Sequence, residues 1–418
     1  MLYSFIKEAV THRFSDEAIS VREAAVSLVG SYVVHSPAVA NAFHQAFMVG
    51  LNDSGVSVRK RTVKILQDIL CSNPSYKGRA KACSEMLRLA ADPKEDDGVR
   101  DLIYELFLKI WLQDGNKTVM QEIPSPVFTN SKLGERLKTP GPDVGAVEGT
   151  NAGPGMITPT SLPAAPFTPS PPKSARSSAK KLKTTRLQQR SEIAAEQMVE
   201  VVKQANTGEN LTALFRELLS GVSDADKNRK SSERRKRKAA AKKQCSMLVD
   251  SLFEILLSVE EKRAENPTSF VKEIVAIMRT IRVFTAVSPL AVLEHLDTLL
   301  PYFKADNDFR DADEEVILSS LCDSLSKMAT VFQKEDIERL GTLSLADDLV
   351  AITLRYGPEA LSSAVRALCS LAHHQFADER SPFRTKLLGL AQLFYKYLFK
   401  YYKEKDLSTK SVSETLFV

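Results

Sequence analysis

Lysine and arginine are the side chains of this 418-residue sequence whose spacing could do chemistry, and that chemistry is the neutralisation of phosphates or other anions. Lys60, Arg61 and Lys64 stand within one turn of each other, and residues 227–243, KNRKSSERRKRKAAAKK, hold ten basic residues against one acid. Arg234, Arg235, Lys236, Arg237 and Lys238 form the densest part of that run. So many like charges must be solvated or paired with an anion, which leaves a nuclear import signal, a DNA phosphate contact and a solvated loop open. No catalytic constellation accompanies them. The sequence has no G-x-x-x-x-G-K phosphate loop, no H-E-x-x-H and no G-x-S-x-G, and adjacent His373 and His374 would diverge on a helix. No metal or other cofactor is expected, and the chain reads as a binding scaffold rather than an enzyme.

Composition narrows the setting. Residues 173–243 carry 19 Lys or Arg against 8 Asp or Glu, although the whole chain is only +5, so a basic block sits in a mildly acidic scaffold. Cys71, Cys83, Cys245, Cys322 and Cys369 are odd in number and contain no C-x-x-C pair, which reads as reduced core thiols. Lys7, Glu8 and Arg13 interrupt any apolar leader, and no stretch approaches the roughly 20 apolar residues of a membrane span. A soluble, non-secreted chain without a membrane partner is expected.

The elements that must position the cations come from a repeat. Asp16-Glu17-Ala18-Ile19-Ser20-Val21-Arg22 recurs 37 residues later as Asp53-Ser54-Gly55-Val56-Ser57-Val58-Arg59, and Gly98-Val99-Arg100 follows 41 residues after the second copy, with Lys94 in the aspartate column. Each copy is a turn followed by a helix. Helix pairs at this period are the signature of HEAT or armadillo repeats, in which stacking supplies the core. The expected fold is all-α, a HEAT-repeat α-solenoid interrupted by a disordered Pro/Ser/Thr-rich insertion. The turn aspartate can accept from orphan amides at the helix start, as can Ser20 or Ser57. On a wheel of about 100° per residue from Val58, Arg59 points into the apolar side, so it must be paired, and Lys60, Arg61 and Lys64 point outward. Asp16, Arg22, Asp53, Arg59 and Arg100 are therefore read as a structural ladder. The equivalents of the outward cations elsewhere are Glu23, Ala24 and Ser27, then Asp101, Leu102 and Glu105, so the second repeat alone has a basic outer face.

Helical period stops at about Gln113, and eleven of the nineteen prolines fall between Pro124 and Pro172. The organisation read from the sequence is thus HEAT repeats over 1–112 (about three helix pairs), an insertion over 113–185, a helical pair over 186–226, a basic segment over 227–243, HEAT-like repeats over 244–404 and a flexible tail over 405–418. Within the insertion, Ser170-Pro171-Pro172-Lys173 fits the serine-proline-x-basic pattern, making Ser170 a candidate phosphosite.

The segments SVREAAVSLVG, SVRKRTVKILQDI and GVRDLIYELFLKIWL, with KKQCSMLVDSLFEILL and LADDLVAITLRYGPEALSSAVRALCSL, resemble the HEAT-repeat body of the Nipped-B or adherin family, the cohesin-loading subunits. The resemblance covers most of the chain outside the insertion. It implies a nuclear, chromatin-bound protein that binds double-stranded DNA and the cohesin subunits (SMC heads or hinge and kleisin), stimulates cohesin's ATPase without hydrolysing ATP, and promotes loading for sister chromatid cohesion and gene regulation. Family members are several times longer, which implies a fragment. The family's N-terminal region that binds the smaller loader subunit has no counterpart here, so that partner is not expected. Basic positions at the outer ends of the repeats are where the family grips DNA, which points to Lys60, Arg61 and Lys64. The other reading is a HEAT adaptor that holds proteins and never meets nucleic acid.

Overall fold

The computed structural model describes residues 2–33, 36–73, 76–112, 173–204, 207–220, 231–264, 267–304 and 311–404. Among them there is helix and no strand. Two units divide the chain, Met1–Gln113 with Thr185–Val418, and Asp114–Thr184. Of the second, the description covers only residues 173–184, whose backbone is helical. The expected Pro-rich stretch, the Ser170 motif, residues 227–230 of the basic run and the tail from 405 lie outside the described residues.

The first unit is a stack of helix pairs. Its N-terminal part contains α1 (Leu2–Arg13) and α2 (Ile19–Val33), then a broken helix, α3 (Pro37–Ala42) and α4 (His44–Leu51), facing α5 (Val56–Ser72), then α6 (Arg79–Ala91) and α7 (Asp97–Phe107). There follow α8 (Lys173–Val202), of which the part from Thr185 belongs to this unit, α9 (Thr207–Ser220), α10 (Ser231–Glu261), α11 (Pro267–Val287), α12 (Pro289–Leu293), α13 (Leu296–Leu299) and α14 (Asp311–Met328). The last helices are α15 (Lys334–Thr342), α16 (Leu345–Arg355), α17 (Pro358–Ala372) and α18 (Pro382–Glu404). Helices α4, α6, α9, α11, α14 and α17 pack side by side as one layer. In the other layer α2, α5, α7 and its extension, α10 and α12 succeed one another, and α16 packs on α18.

Local sequence explains these elements. Val58, Thr62, Val63, Ile65, Leu66, Ile69 and Leu70 bury one stripe of α5, the face that the apolar period marks. Proline opens α3, α11, α12, α17 and α18, where its fixed φ suits the first helical turn and its missing N–H costs nothing. Close approach of α2 to α5 needs Gly30, since a Cβ there would lie 2.4 Å from the Ile65 Cδ1. Two helices start earlier than their apolar period suggests, α8 at Lys173 rather than near Leu187, and α10 at Ser231 inside the basic run. Lys, Arg, Ala and Gln favour helix without needing a buried stripe.

At the end of α7 the chain makes a π-helical turn, Leu108–Leu112. This turn sets Trp111 into the core, 2% exposed, stacked on Phe107 at 4.5 Å and on Phe215 of α9 at 6.2 Å. Phe215 in turn meets Phe284 of α11 at 5.2 Å. One aromatic row thus carries the core from the helices before Gln113 to those after Thr185. The thiols join the same interior. Cys83, Cys245 and Cys322 are buried and Cys71 and Cys369 half-buried, all free, and burial pushes Cys83 and Cys245 up to about 12, which keeps them protonated at neutral pH.

Candidate nucleic-acid interface

The recurring turn is built from its aspartates and arginines. Asp16 Oδ1 accepts from the Ala18 amide at 3.1 Å, and Asp53 Oδ1 accepts from the Gly55 amide at 2.7 Å, so each carboxylate ties off the start of its helix. Ser20 and Ser57 play no such part, standing exposed inside α2 and α5. Arg22 then works in two directions. Its Nη1 donates to the carbonyls of Asp16 (2.7 Å) and Glu17 (3.0 Å), closing its own turn. Its Nε and Nη2 fork onto Asp53 Oδ2 (2.6 Å) and Oδ1 (2.8 Å) in the next repeat. Burial alone would push the Asp53 carboxyl up, but hydrogen bonds from Arg22 and the Gly55 amide, with the charges of Arg22 and Arg59, hold it below its ordinary value of 3.8.

Arg59 repeats the pattern with a different acceptor. Nη1 donates to the carbonyls of Asp53 (2.6 Å) and Ser54 (3.2 Å), while Nε and Nη2 reach Glu95 Oε1 at 3.1 and 2.7 Å. Arg100 does not reach onward. It donates to Asp97 at 2.7 Å and to the carbonyls of Ala90, Asp92 and Glu95, all within its own repeat. Two rungs therefore join successive repeats, and the third arginine fastens only its own turn.

Of the three cations on α5 expected to face outward, the structure separates one from the other two. Lys60 is half-buried, its Nζ 2.8 Å from Asp96 Oδ1. Asp96 caps α7, accepting from the Val99 amide at 3.2 Å, and the Lys60 contact holds its carboxyl below the usual range. Lys60 thus links α5 to α7 through an acid 36 residues downstream. Arg61 and Lys64 are exposed and meet no carboxylate among the described residues. They stand three residues apart, neighbours on one side of the helix. Arg234, Arg235, Lys236, Arg237 and Lys238 lie on the first turns of α10, away from the α5 pair in the chain; their side chains are outside the description.

Other titratable groups are engaged in structure. The His373 ring nitrogen Nδ1 lies 3.0 Å from the Cys369 carbonyl, and His295 stacks on Phe253 with its Nε2 2.9 Å from Asp250. Among the described residues no group of three His, Cys, Asp or Glu side chains could hold a metal ion, and no helix is long and apolar enough to cross a membrane.

Comparison with known proteins places this arrangement. A family model described as the HEAT repeat associated with sister chromatid cohesion matches residues 1–29. Over 372 residues the chain is 24% identical to the Nipped-B-like protein of Homo sapiens, spanning 87% of this chain and 10% of that protein. It is 35% identical over 129 residues to the Nipped-B protein of Drosophila melanogaster, 31% of this chain and 6% of that one. The C-terminal fragment of the Chaetomium thermophilum cohesin loader SCC2 shares the fold, with a TM-score of 0.61 at 16% identity over 97% of this chain and 23% of that one. The chain is thus similar to the Nipped-B proteins over most of its length. It spans about a tenth of the length of the curated Nipped-B relatives that it matches.

Within this stack, sequence reasoning passes over two acids that the structure makes central. Glu95 is the second rung of the ladder, taking the place expected for a residue in the Lys94 column. Asp323 is a nearly buried carboxylate on α14 that receives Arg282 of α11 at 2.9 Å and Arg366 of α17 at 2.6 Å. An aspartate inside the apolar period of Leu321, Cys322 and Leu325 was the available signal, because such a charge must be paired.

Proposed function

We propose that this chain is a chromatin-bound module of a cohesin loader: it works in the nucleus, binds duplex DNA and cohesin, and stimulates the ring's ATPase while hydrolysing no ATP itself. Similarity to the Nipped-B proteins supports the cohesin part, since the matched structures include one described as a cohesin loader and the matching repeat is one associated with sister chromatid cohesion. The SMC heads or hinge and the kleisin are the surfaces it would meet. What carries the DNA part is the exposed pair Arg61 and Lys64, without a carboxylate partner among the described residues, on a helix whose remaining basic side chains are committed to the ladder and to Asp96. Two outward cations neutralise phosphates without reading bases, which gives binding that is independent of sequence and sensitive to salt. The basic run on α10 adds a second patch to the same chemistry.

ATP hydrolysis by a purified cohesin ring in the presence of duplex DNA tests this directly. Adding the chain is expected to raise the rate, and R61E/K64E is expected to remove most of the rise at limiting DNA. An unchanged rate on adding the wild-type chain would overturn the loader reading in favour of a protein-only HEAT adaptor.

A further inference from the structure

Neighbouring helices of one layer, α9, α11, α14 and α17, together with Val202 at the end of α8, line a cavity of about 860 Å³. Its charged groups are mostly cationic. Arg216 on α9, Arg279 and Arg282 on α11, Lys327 on α14 and Arg366 on α17 are exposed into it, against Glu209 and the Asp323 carboxylate. Asp323 is 8% exposed and holds Arg282 and Arg366 from opposite sides, so two guanidiniums are fixed in place by one shared acid. Arg216, Arg279 and Lys327 meet no carboxylate among the described residues. Uncompensated like charges around one concave surface repel each other and focus a positive potential into it, which an anionic occupant relieves.

The form of the occupant follows from the size and lining. A cavity of this volume is in the range of roughly 300–1,000 Å³ that takes a small ligand or a short chain segment, not a duplex. Asp323 at its base and Glu209 at its edge would oppose a continuous run of phosphates. Val283 and Ala286 on α11 supply apolar contact between the cations. That mixture suits an extended peptide in which carboxylates alternate with small apolar side chains.

We propose that this groove is the docking site for an acidic, extended segment of a protein partner. Its cations lie on other helices than Arg61 and Lys64, and the inference stands whether or not α5 touches DNA.

The test uses the full chain, with fluorescein-labelled short peptides of alternating glutamate and alanine, and the glutamine versions as controls, followed by anisotropy. The wild type is expected to bind the glutamate peptide and not the glutamine one. R216E/R279E/K327E, which removes exposed and unbonded groups, is expected to weaken binding by about tenfold or more with its far-UV circular dichroism unchanged, while R61E/K64E stays within about twofold of the wild type. The proposal fails if the wild type does not bind the glutamate peptide, or if the groove variant binds it as tightly. It also fails, in favour of a nucleic-acid site, if duplex DNA displaces the peptide and the groove variant loses duplex affinity instead.

Discussion

Replacing Trp111 by alanine is expected to destabilise the chain by about 3–5 kcal/mol, the range for truncating a large buried aromatic. The side chain is almost wholly buried and stacks between Phe107 and Phe215. It is also the sole tryptophan of the sequence, so wild-type unfolding can be followed by its fluorescence and the variant by circular dichroism. The effect should have a particular form. Because a repeat array is stabilised by contacts between neighbours, loss of the aromatic row should split urea unfolding into two phases, one for each side of the gap. Trp111→Phe provides the contrast. The indole N–H is buried and meets no hydrogen-bond acceptor among the described residues, so removing it relieves a desolvated donor while keeping most of the contact, and the cost should be within about 1 kcal/mol. A loss below about 1 kcal/mol for Trp111→Ala would show that the row does not couple the two sides.

The second large effect concerns the ladder. Asp53→Ala leaves the Arg22 fork without its acceptor and the Gly55 amide without its cap, and should cost about 2–3 kcal/mol, the low end for a broken pair because the edge of the guanidinium reaches solvent. Urea midpoints at neutral pH measure this. Acid should erase the difference. The folded Asp53 carboxyl binds its proton more weakly than the unfolded one, so the unfolded state takes up more protons as pH falls. The stabilisation is therefore complete above the ordinary value of 3.8 and disappears as pH drops through the lower folded value. Wild type and Asp53→Asn should converge in stability over that acid range, and a gap that persists there would mean the carboxylate is not the source of the rung.

The ladder was legible in the sequence because the 37-residue offset aligns Arg22 with Arg59 and puts Asp53 where a neighbour's guanidinium must find a partner. Its second rung was not, since the next offset is 41 residues and the aspartate column falls on Lys94. Glu95, one position later and one methylene longer, takes the guanidinium instead. Lys60 faces outward on a helical wheel, but a wheel knows only its own helix, and the acid that captures this lysine caps α7. The groove was out of reach for the same reason on a larger scale. Arg216, Arg279, Lys327 and Arg366 come from four helices spread over 150 positions, and only the stacking of those helices brings them to one cavity. The starts of α8 and α10 were missed because their helices rest on Lys, Arg and Ala propensity rather than on an apolar stripe. The π turn at Leu108 escaped because a change of helical pitch has no composition of its own.

Duplex-DNA affinity across a salt series, for the wild type, R61E/K64E and K60A, tests the assignment of the α5 cations most directly. The wild type should bind all sequences alike with log affinity falling linearly in log salt. R61E/K64E should weaken binding to every sequence and flatten the slope by about 2, one for each lost phosphate contact, while K60A, whose charge is already spent on Asp96, should leave the slope as it was. Wild-type affinity and slope in R61E/K64E would contradict the account, and a flattened slope in K60A alone would move the contact to the lysine that the structure commits to Asp96.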